Sequence, residues 1–441
     1  MMTRKECENL LSVAVQYSEV DEVFAVLNVT DSCARGVVGL ALQAPHRMRN
    51  AELSVTVRKG RRYAMASGNV HDESNVRELV ARAATAATQM PEAPEAPPFP
   101  GAVEIIEAPI QRETAITRAL EGLDDAIASF RGNPTFDSIQ MYGRVTSAKS
   151  ALALASSNGL FLYQPSSLAN AHLRCFSADG TSTGFAEQYT MDPAMLRLSD
   201  LLSEAASNCH EWKSPSDIKP GRITTVFEPR ALADMLRPMM QQFSRRAIEQ
   251  DQSFLRKLDG SSFLGSQLFL EEINLRSDPY DARLGSMPFT ADGQPVRAES
   301  WITKGVISQL ITDRYDAIKS GEKETAPPTN LIMDVTDPVQ DVIAGTEYGL
   351  LVKGFANLNI LDPKNCLLSG STRDGVFLIE KGKITKAVRN LVIRETPVYL
   401  FKELLALGVP EITSTTGSYF PMLLPPIRVK DVMYTQLSGL V

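Results

Sequence analysis

The sequence is poor in the residues that announce most enzymes. Its five cysteines (Cys7, Cys33, Cys175, Cys209 and Cys366) are odd in number, scattered, and never spaced as CxxC. That pattern offers neither a disulfide framework nor a cysteine zinc knot, and it fits a reducing, cytoplasmic setting. The four histidines (His46, His71, His172 and His210) lie far apart, and HExxH is absent. Cys209-His210-Glu211 are adjacent, but neighbouring side chains on a helix or strand point in different directions and do not share one ion easily. No GxxxxGK[ST] or GxSxG occurs, and no GxGxxG follows a strand, which removes the common nucleotide and serine-hydrolase signatures. No run of Lys and Arg stands out, and the formal net charge is −7. A general nucleic-acid binder would need the opposite balance, so no nucleic-acid partner is expected. No window approaches the roughly 18 apolar residues that span a bilayer, and the N-terminus reads as a helix rather than a signal peptide, so no membrane partner is expected either.

What is present is an ordinary globular mixture, 44% hydrophobic and 22% charged over 441 residues. That length favours two or three domains over one core. Residues 4–18 predict a helix, 23–29 and 36–44 predict strands, and 54–67 predict a hairpin turning at Lys59-Gly60. Asp72 or Ser74 is placed to cap a helix running to about Met90. The stretch PEAPEAPPFPG (91–101) is too rich in proline for a helix or central strand. It reads equally as a domain boundary or as a surface crossing within one domain. A helical pattern spans 113–130, and hairpins are predicted at Asn158-Gly159 and Asp179-Gly180. Asp192-Pro193 opens a helix over MLRLSDLLSEAASN.

The polar stretch WKSPSDIKPGR (212–222) is taken as the main boundary, separating an N-terminal domain (1–218) from a β-rich C-terminal domain (219–441). After it come a strand at 223–227 and a helix opening at Pro229. Segments at 268–275, 299–314, 329–335 and 348–361 alternate with polar stretches. A hairpin over 375–388 turns at Lys381-Gly382, a helix runs from Thr396-Pro397 to Gly408, and a last strand covers 427–436. Helices and antiparallel strands without a regular βαβ rhythm predict an α+β fold.

Two features carry chemical interest. In ADMLRPMMQQFSR (233–245), Leu232, Met235, Leu236, Met239, Met240 and Phe243 recur at helical spacing, which is more often core than binding surface. Pro238 falls inside that helix, where proline typically costs about 3 kcal/mol against alanine. Such a proline kinks the helix around something, or else the helix starts later than Pro229. Cys366 lies in a polar loop and would be a nucleophile only if a histidine approached it, as would a serine in SGST (369–372).

Several segments taken together resemble the TldD/PmbA family, whose members are also labelled candidate modulators of DNA gyrase. They are SSNGLFLYQPSS (156–167), KPGRITTVFEPRALADML (219–236), SFLRKLDGSSF, DARLGSMPFTADGQPVRAESWITKGVISQLITDRYDA and FLIEKGKITKAVRNLVI. None is diagnostic alone; their order and spacing are. The resemblance covers nearly the whole chain and implies a two-domain α+β fold. It also implies a peptidase assembled from two branches. In the TldD branch a helix carries HExxxH, whose histidines and a C-terminal cysteine hold zinc while the glutamate acts as general base.

Aligned from Pro229, this chain places Arg237, Pro238 and Gln242 at those three positions, and no cysteine follows Cys366. Arginine repels a metal, proline takes no proton, and a neutral amide is a poor zinc ligand. The chain is therefore similar to the metal-free PmbA (TldE-like) branch, with no cofactor. The resemblance implies a non-catalytic subunit paired with a zinc-bearing TldD-like sister or with itself, acting on peptides. The alternative is a homodimeric peptide-binding or scaffold protein with no catalytic partner. The gyrase label finds no physical support in an acidic chain without a nucleic-acid motif.

Overall fold

The structure is a computed structural model and describes residues 1–106, 108, 117–131, 133 and 138–439. The first half opens with α1 (Arg4–Val15), whose N-terminus is closed by a capping box between Thr3 and Glu6. The strands β1 (Glu22–Val38), β2 (Ala41–Leu42), β3 (His46–Lys59) and β4 (Arg62–Asn69) follow. Next come α2 (Glu73–Ala87), capped by Asp72, and α3 (Leu123–Arg131). The set ends with β5 (Ile139–Ser156), β6 (Phe161–Ser177), β7 (Thr183–Thr190) and α4 (Leu198–Glu211). The strands form one antiparallel sheet in the order β4-β3-β1-β5-β6-β7, with β2 beside β1.

Side chains alternate across that sheet. Val23, Ala25, Leu27 and Val29 of β1 and Ala151, Ala153 and Ala155 of β5 pack on α1 and α2. Further along the same face, Val37, Met141, Val145, Leu173 and Cys175 pack on α3 and α4. The opposite face, through Leu154 and Leu162, meets Phe289 of the second half. Helices gathered on one face of an antiparallel sheet make this an α+β arrangement.

Several expectations need correction. The strand expected at 23–29 runs on to Val38 as β1, and the one expected at 36–44 is split by a turn at Gly39-Leu40 between the end of β1 and β2. The polar middle of β1 stays extended because β3 and β5 pair with it on both sides. Arg47 and Arg49 of β3 also bond the Asp31 carboxylate, at 2.8 and 3.2 Å. The proline-rich stretch is a surface crossing, since the strands on either side of it, β4 and β5, belong to one sheet. Phe99 anchors it on Phe24 and Tyr63 with ring centroids 5.9 and 5.8 Å apart. Of the helix expected at 113–130, residues 113–116 lie outside the described residues and α3 begins only at Leu123. The Asp192-Pro193 helix breaks into a single turn before α4 starts at Leu198.

The second half begins with β8 (Arg222–Phe227), α5 (Pro229–Gln241) and α6 (Arg245–Glu249). It continues with β9 (Leu275–Ser277), β10 (Glu299–Thr303), β11 (Val306–Ile307), α7 (Arg314–Ser320) and β12 (Leu331–Met333). Then come β13 (Tyr348–Asp362), β14 (Leu367–Glu380), β15 (Lys383–Ala387), β16 (Leu391–Glu395) and α8 (Pro397–Leu400). The last strands are β17 (Leu404–Leu407), β18 (Glu411–Thr413), β19 (Met422–Leu424) and β20 (Ile427–Leu437). One sheet runs β13-β8-β20-β16-β14, and β13 also pairs with β14, so those five strands close into a ring. A second sheet runs β11-β10-β9-β12-β19-β18. Helix α5 belongs to the core these strands share, through Leu232, Met235, Leu236, Met239 and Met240.

Two further segments depart from the pattern. Of 268–275, only Leu275 is in a strand. The rest wraps the Lys304-Gly305 turn, and Leu268 and Phe269 both donate to the Gly305 carbonyl at 2.9 and 3.1 Å. Gly305 has φ +75° there, and a Cβ would lie 2.2 Å from the Phe269 oxygen, so only glycine fits. The helix expected from Thr396 to Gly408 lasts only to Leu400. Residues 404–407 instead pair with β20, because a short apolar run carries no period that separates helix from strand.

Candidate functional site

Helix α5 is buried almost all round. Apart from Pro229 at its start, the remaining residues Arg230, Asp234, Arg237, Pro238 and Gln241 fall at helical spacing, on one stripe. Four of them, Asp234, Arg237, Pro238 and Gln241, line a cleft of about 420 Å³. The opposite walls come from β13 and β14 (Phe355, Ala356, Asn357, Leu358 and Arg373) and from the loop carrying Thr415, Thr416 and Ser418.

The helix starts at Pro229 and runs through Pro238 to Gln241. Its end tightens, with Gln242 and Phe243 N–H donating to the carbonyls of Met239 and Met240 at 3.0 and 3.1 Å. Pro238 lines the cleft, while Met235, Leu236, Met239 and Met240 are buried in the core. That stripe is core, as its spacing predicts.

Arg237 reaches across the cleft. Its Nη1 donates to Thr415 Oγ1 at 3.1 Å and to Ser418 Oγ, and its guanidinium lies 5.3 Å from the Phe420 ring centre. One turn earlier, Asp234 accepts from the Thr416 N–H and from Thr416 Oγ1, both at 2.8 Å. Burial outweighs those two bonds and pushes the Asp234 carboxyl up to about 6. Gln242 does not line the cleft. Its amide, with the nitrogen turned to face them, donates to the carbonyls of Pro363 (3.2 Å) and Gln252. The three aligned positions therefore do not converge: two face the cleft and the third is buried on another side.

Beside the cleft lies an arginine cluster the sequence reading missed. Asp374 is buried at φ +65° and accepts from Arg174 Nη1 at 2.5 Å. Arg230 and Arg373 both stand 3.8 Å from it. Arg174 and Arg230 also lie over the Phe185 ring, at 4.8 and 4.5 Å. Arg174 and Phe185 belong to the N-terminal sheet, so the cluster ties the two halves together. Nearby, Lys353 donates to Asn208 at 2.8 Å, and burial raises the carboxyl of Glu228. A polar stripe at 230, 234, 237 and 241 was readable in the sequence; its partners on β13, β14 and the 415–418 loop were not.

The other candidates are placed elsewhere. Cys366 is fully buried in the C-terminal core, and burial pushes its thiol up to about 12. Such a group is a packing residue rather than an activated nucleophile. Cys209 is buried against Ser182 while His210 is exposed, so those neighbours do point apart.

Residues 220–436 match the model of the PmbA/TldA metallopeptidase C-terminal domain. The chain belongs to the TldD/PmbA family. Among solved structures, TldE from Thermococcus kodakarensis superposes with a TM-score of 0.84 at 18% identity, over 97% of this chain and 99% of that one. A candidate modulator of DNA gyrase from Bacteroides thetaiotaomicron gives 0.81 at 18% identity, over 99% and 100%. Another, from Thermotoga maritima, gives 0.79 at 15% identity, over 98% and 100%. These likenesses concern the fold. No curated protein matches the chain significantly.

A metallopeptidase family raises the question of zinc, and in this TldD/PmbA chain the aligned residues do not fit it. A permanent cation stands at the first position, an imino acid without a side-chain donor at the second, and a carbonyl-bound amide at the third. Among the described residues, no group of three His, Cys, Asp or Glu side chains is placed to hold a metal ion. Nor does any helix among them have the length and apolarity to cross a membrane.

Proposed function

We propose that this chain is the metal-free, non-catalytic subunit of a TldD/TldE-type metallopeptidase assembly that processes peptides in the cytoplasm. In this reading it pairs with a zinc-bearing sister chain, stabilising it and shaping the chamber around its metal. The observation that carries the reading is the cleft on α5. Arg237 occupies the first ligand position and is held by two hydroxyls and an aromatic face, while Gln242 turns toward Pro363. The scaffold is retained and the donor set is not. Similarity to a protein named TldE supports the same assignment.

Elemental analysis and peptide cleavage test this reading. Freshly purified protein should carry far less than one zinc per chain and should leave an unstructured peptide uncut. Near-stoichiometric zinc with chelator-sensitive cleavage overturns it. Co-purification from the native host should recover an HExxxH-bearing partner. Recovery of the chain with only itself would favour the homodimeric peptide-binding alternative.

A further inference from the structure

We infer that the α5 cleft binds the C-terminal carboxylate of a peptide, gripped by Arg237 from the helix and Arg373 from the facing strand. This rests on the peptide-handling role proposed above and names what the cleft would hold.

The first argument is charge. Among the described residues, no carboxylate lies within ion-pair distance of Arg237; its Nη1 donates to the neutral hydroxyl oxygens of Thr415 and Ser418. A guanidinium offers five N–H donors in a rigid fork that matches a carboxylate two-to-two. Stacking on Phe420 holds that fork in place before any ligand arrives. Across the cleft, Arg373 shares the single carboxylate of Asp374 with Arg174 and Arg230, and its buried Nε has no hydrogen-bond partner. Burial and the Arg174 charge both act against the charged form of Arg373, so an added anion there is favoured. Asp234 is the one acidic residue lining the cleft, and both its oxygens are already engaged by Thr416.

The second argument is shape. The cleft, at about 420 Å³, falls within the size range of small-ligand sites and exceeds what a lone inorganic ion requires. Phe355, Ala356 and Leu358 give it apolar wall as well as charge. The ladder between β13 and β14 shifts register between Ala356 and Asn359, and Asn357 adopts φ +55°. Asn357 is itself part of the cleft wall, and bulges are over-represented beside binding and active sites. Apolar wall beside two cations suits an organic acid with side chains attached, which is the end of a peptide.

The test uses the full chain in excess chelator, so that metal content has no bearing. Fluorescence anisotropy is measured with a labelled, unstructured alanine-rich hexapeptide as free acid and as C-terminal amide. The free acid should bind at least about tenfold more tightly, the loss expected for a charge-assisted pair. Arg237→Gln and Arg373→Gln should each bring free-acid affinity down toward that of the amide and leave amide binding unchanged. Equal affinity of acid and amide in the unaltered chain overturns the proposal, as does no saturable binding of the acid up to about 1 mM. Inorganic phosphate should compete only weakly; phosphate binding more tightly than the free acid also overturns it, making the cleft a simple anion site. The acid-versus-amide comparison needs no variant, so misfolding of either substitution leaves the test intact. Failure here would leave the metal and co-purification results untouched, and the reverse also holds.

Discussion

Thr415 lies 3.1 Å from Arg237, although 178 residues separate them in the chain. The loop between β18 and β19 folds over the open stripe of α5. It supplies hydroxyls to Arg237 and, from Thr416, two donors to Asp234. The loop thus engages both oxygens of Asp234 but offers Arg237 only neutral hydroxyls, leaving its charge without a carboxylate partner among the described residues.

Restoring the ligand letters should not restore the site. The triple variant Arg237→His, Pro238→Glu, Gln242→His is expected to bind less than stoichiometric zinc after dialysis, because position 242 is buried against Pro363 and Gln252, away from the cleft. Tight uptake of roughly one zinc per chain, measured by emission spectrometry, would show that the helix end re-forms readily.

Asp374→Asn should lower stability by about 3 kcal/mol, since it removes the one carboxylate from among three guanidinia with little water to replace it. Asparagine tolerates the left-handed backbone at this position, so the loss reflects charge rather than strain. Urea unfolding of the two proteins at pH 7 measures it. A difference below about 0.5 kcal/mol would mean the cluster is far better solvated than its burial implies.

Asp234 should make stability depend on pH. Its folded-state value, raised to about 6, lies above that of an unfolded carboxyl. The folded state therefore holds the proton more tightly. The stability this contributes is present below the unfolded value near 4 and is lost as pH rises through about 6. Relative to Asp234→Asn, the unaltered chain should lose about 2 kcal/mol between pH 4 and pH 7. Parallel urea titrations at those two pH values check the sign: a gain with rising pH contradicts the burial argument.

All five cysteines should be inert in the native protein. Each is buried, and burial pushes Cys7 up to about 11 and Cys366 up to about 12. A colorimetric thiol reagent at pH 8 should titrate almost none of them at first and all five in denaturant. Rapid native labelling at Cys366 would reopen its case as a nucleophile.

The sequence by itself determined the features that act over one or two turns. The Asp72 and Thr396 caps, the hairpins at Gly60, Gly159, Gly180 and Gly382, and the buried Met stripe of α5 were all readable in residue order. The alignment that sets Arg237, Pro238 and Gln242 at the family's ligand positions is likewise a reading of residue order, resting on the family resemblance. Only the tertiary structure decided which of these meet. The merging of 23–29 with its polar continuation into β1, the strand at 404–407, the turning of Gln242 away from Arg237, and the gathering of Arg174, Arg230 and Arg373 around Asp374 all depend on distant partners. Local propensity is set by neighbours a few residues away, whereas strand pairing, burial and charge neutralisation are set by whatever the fold brings alongside.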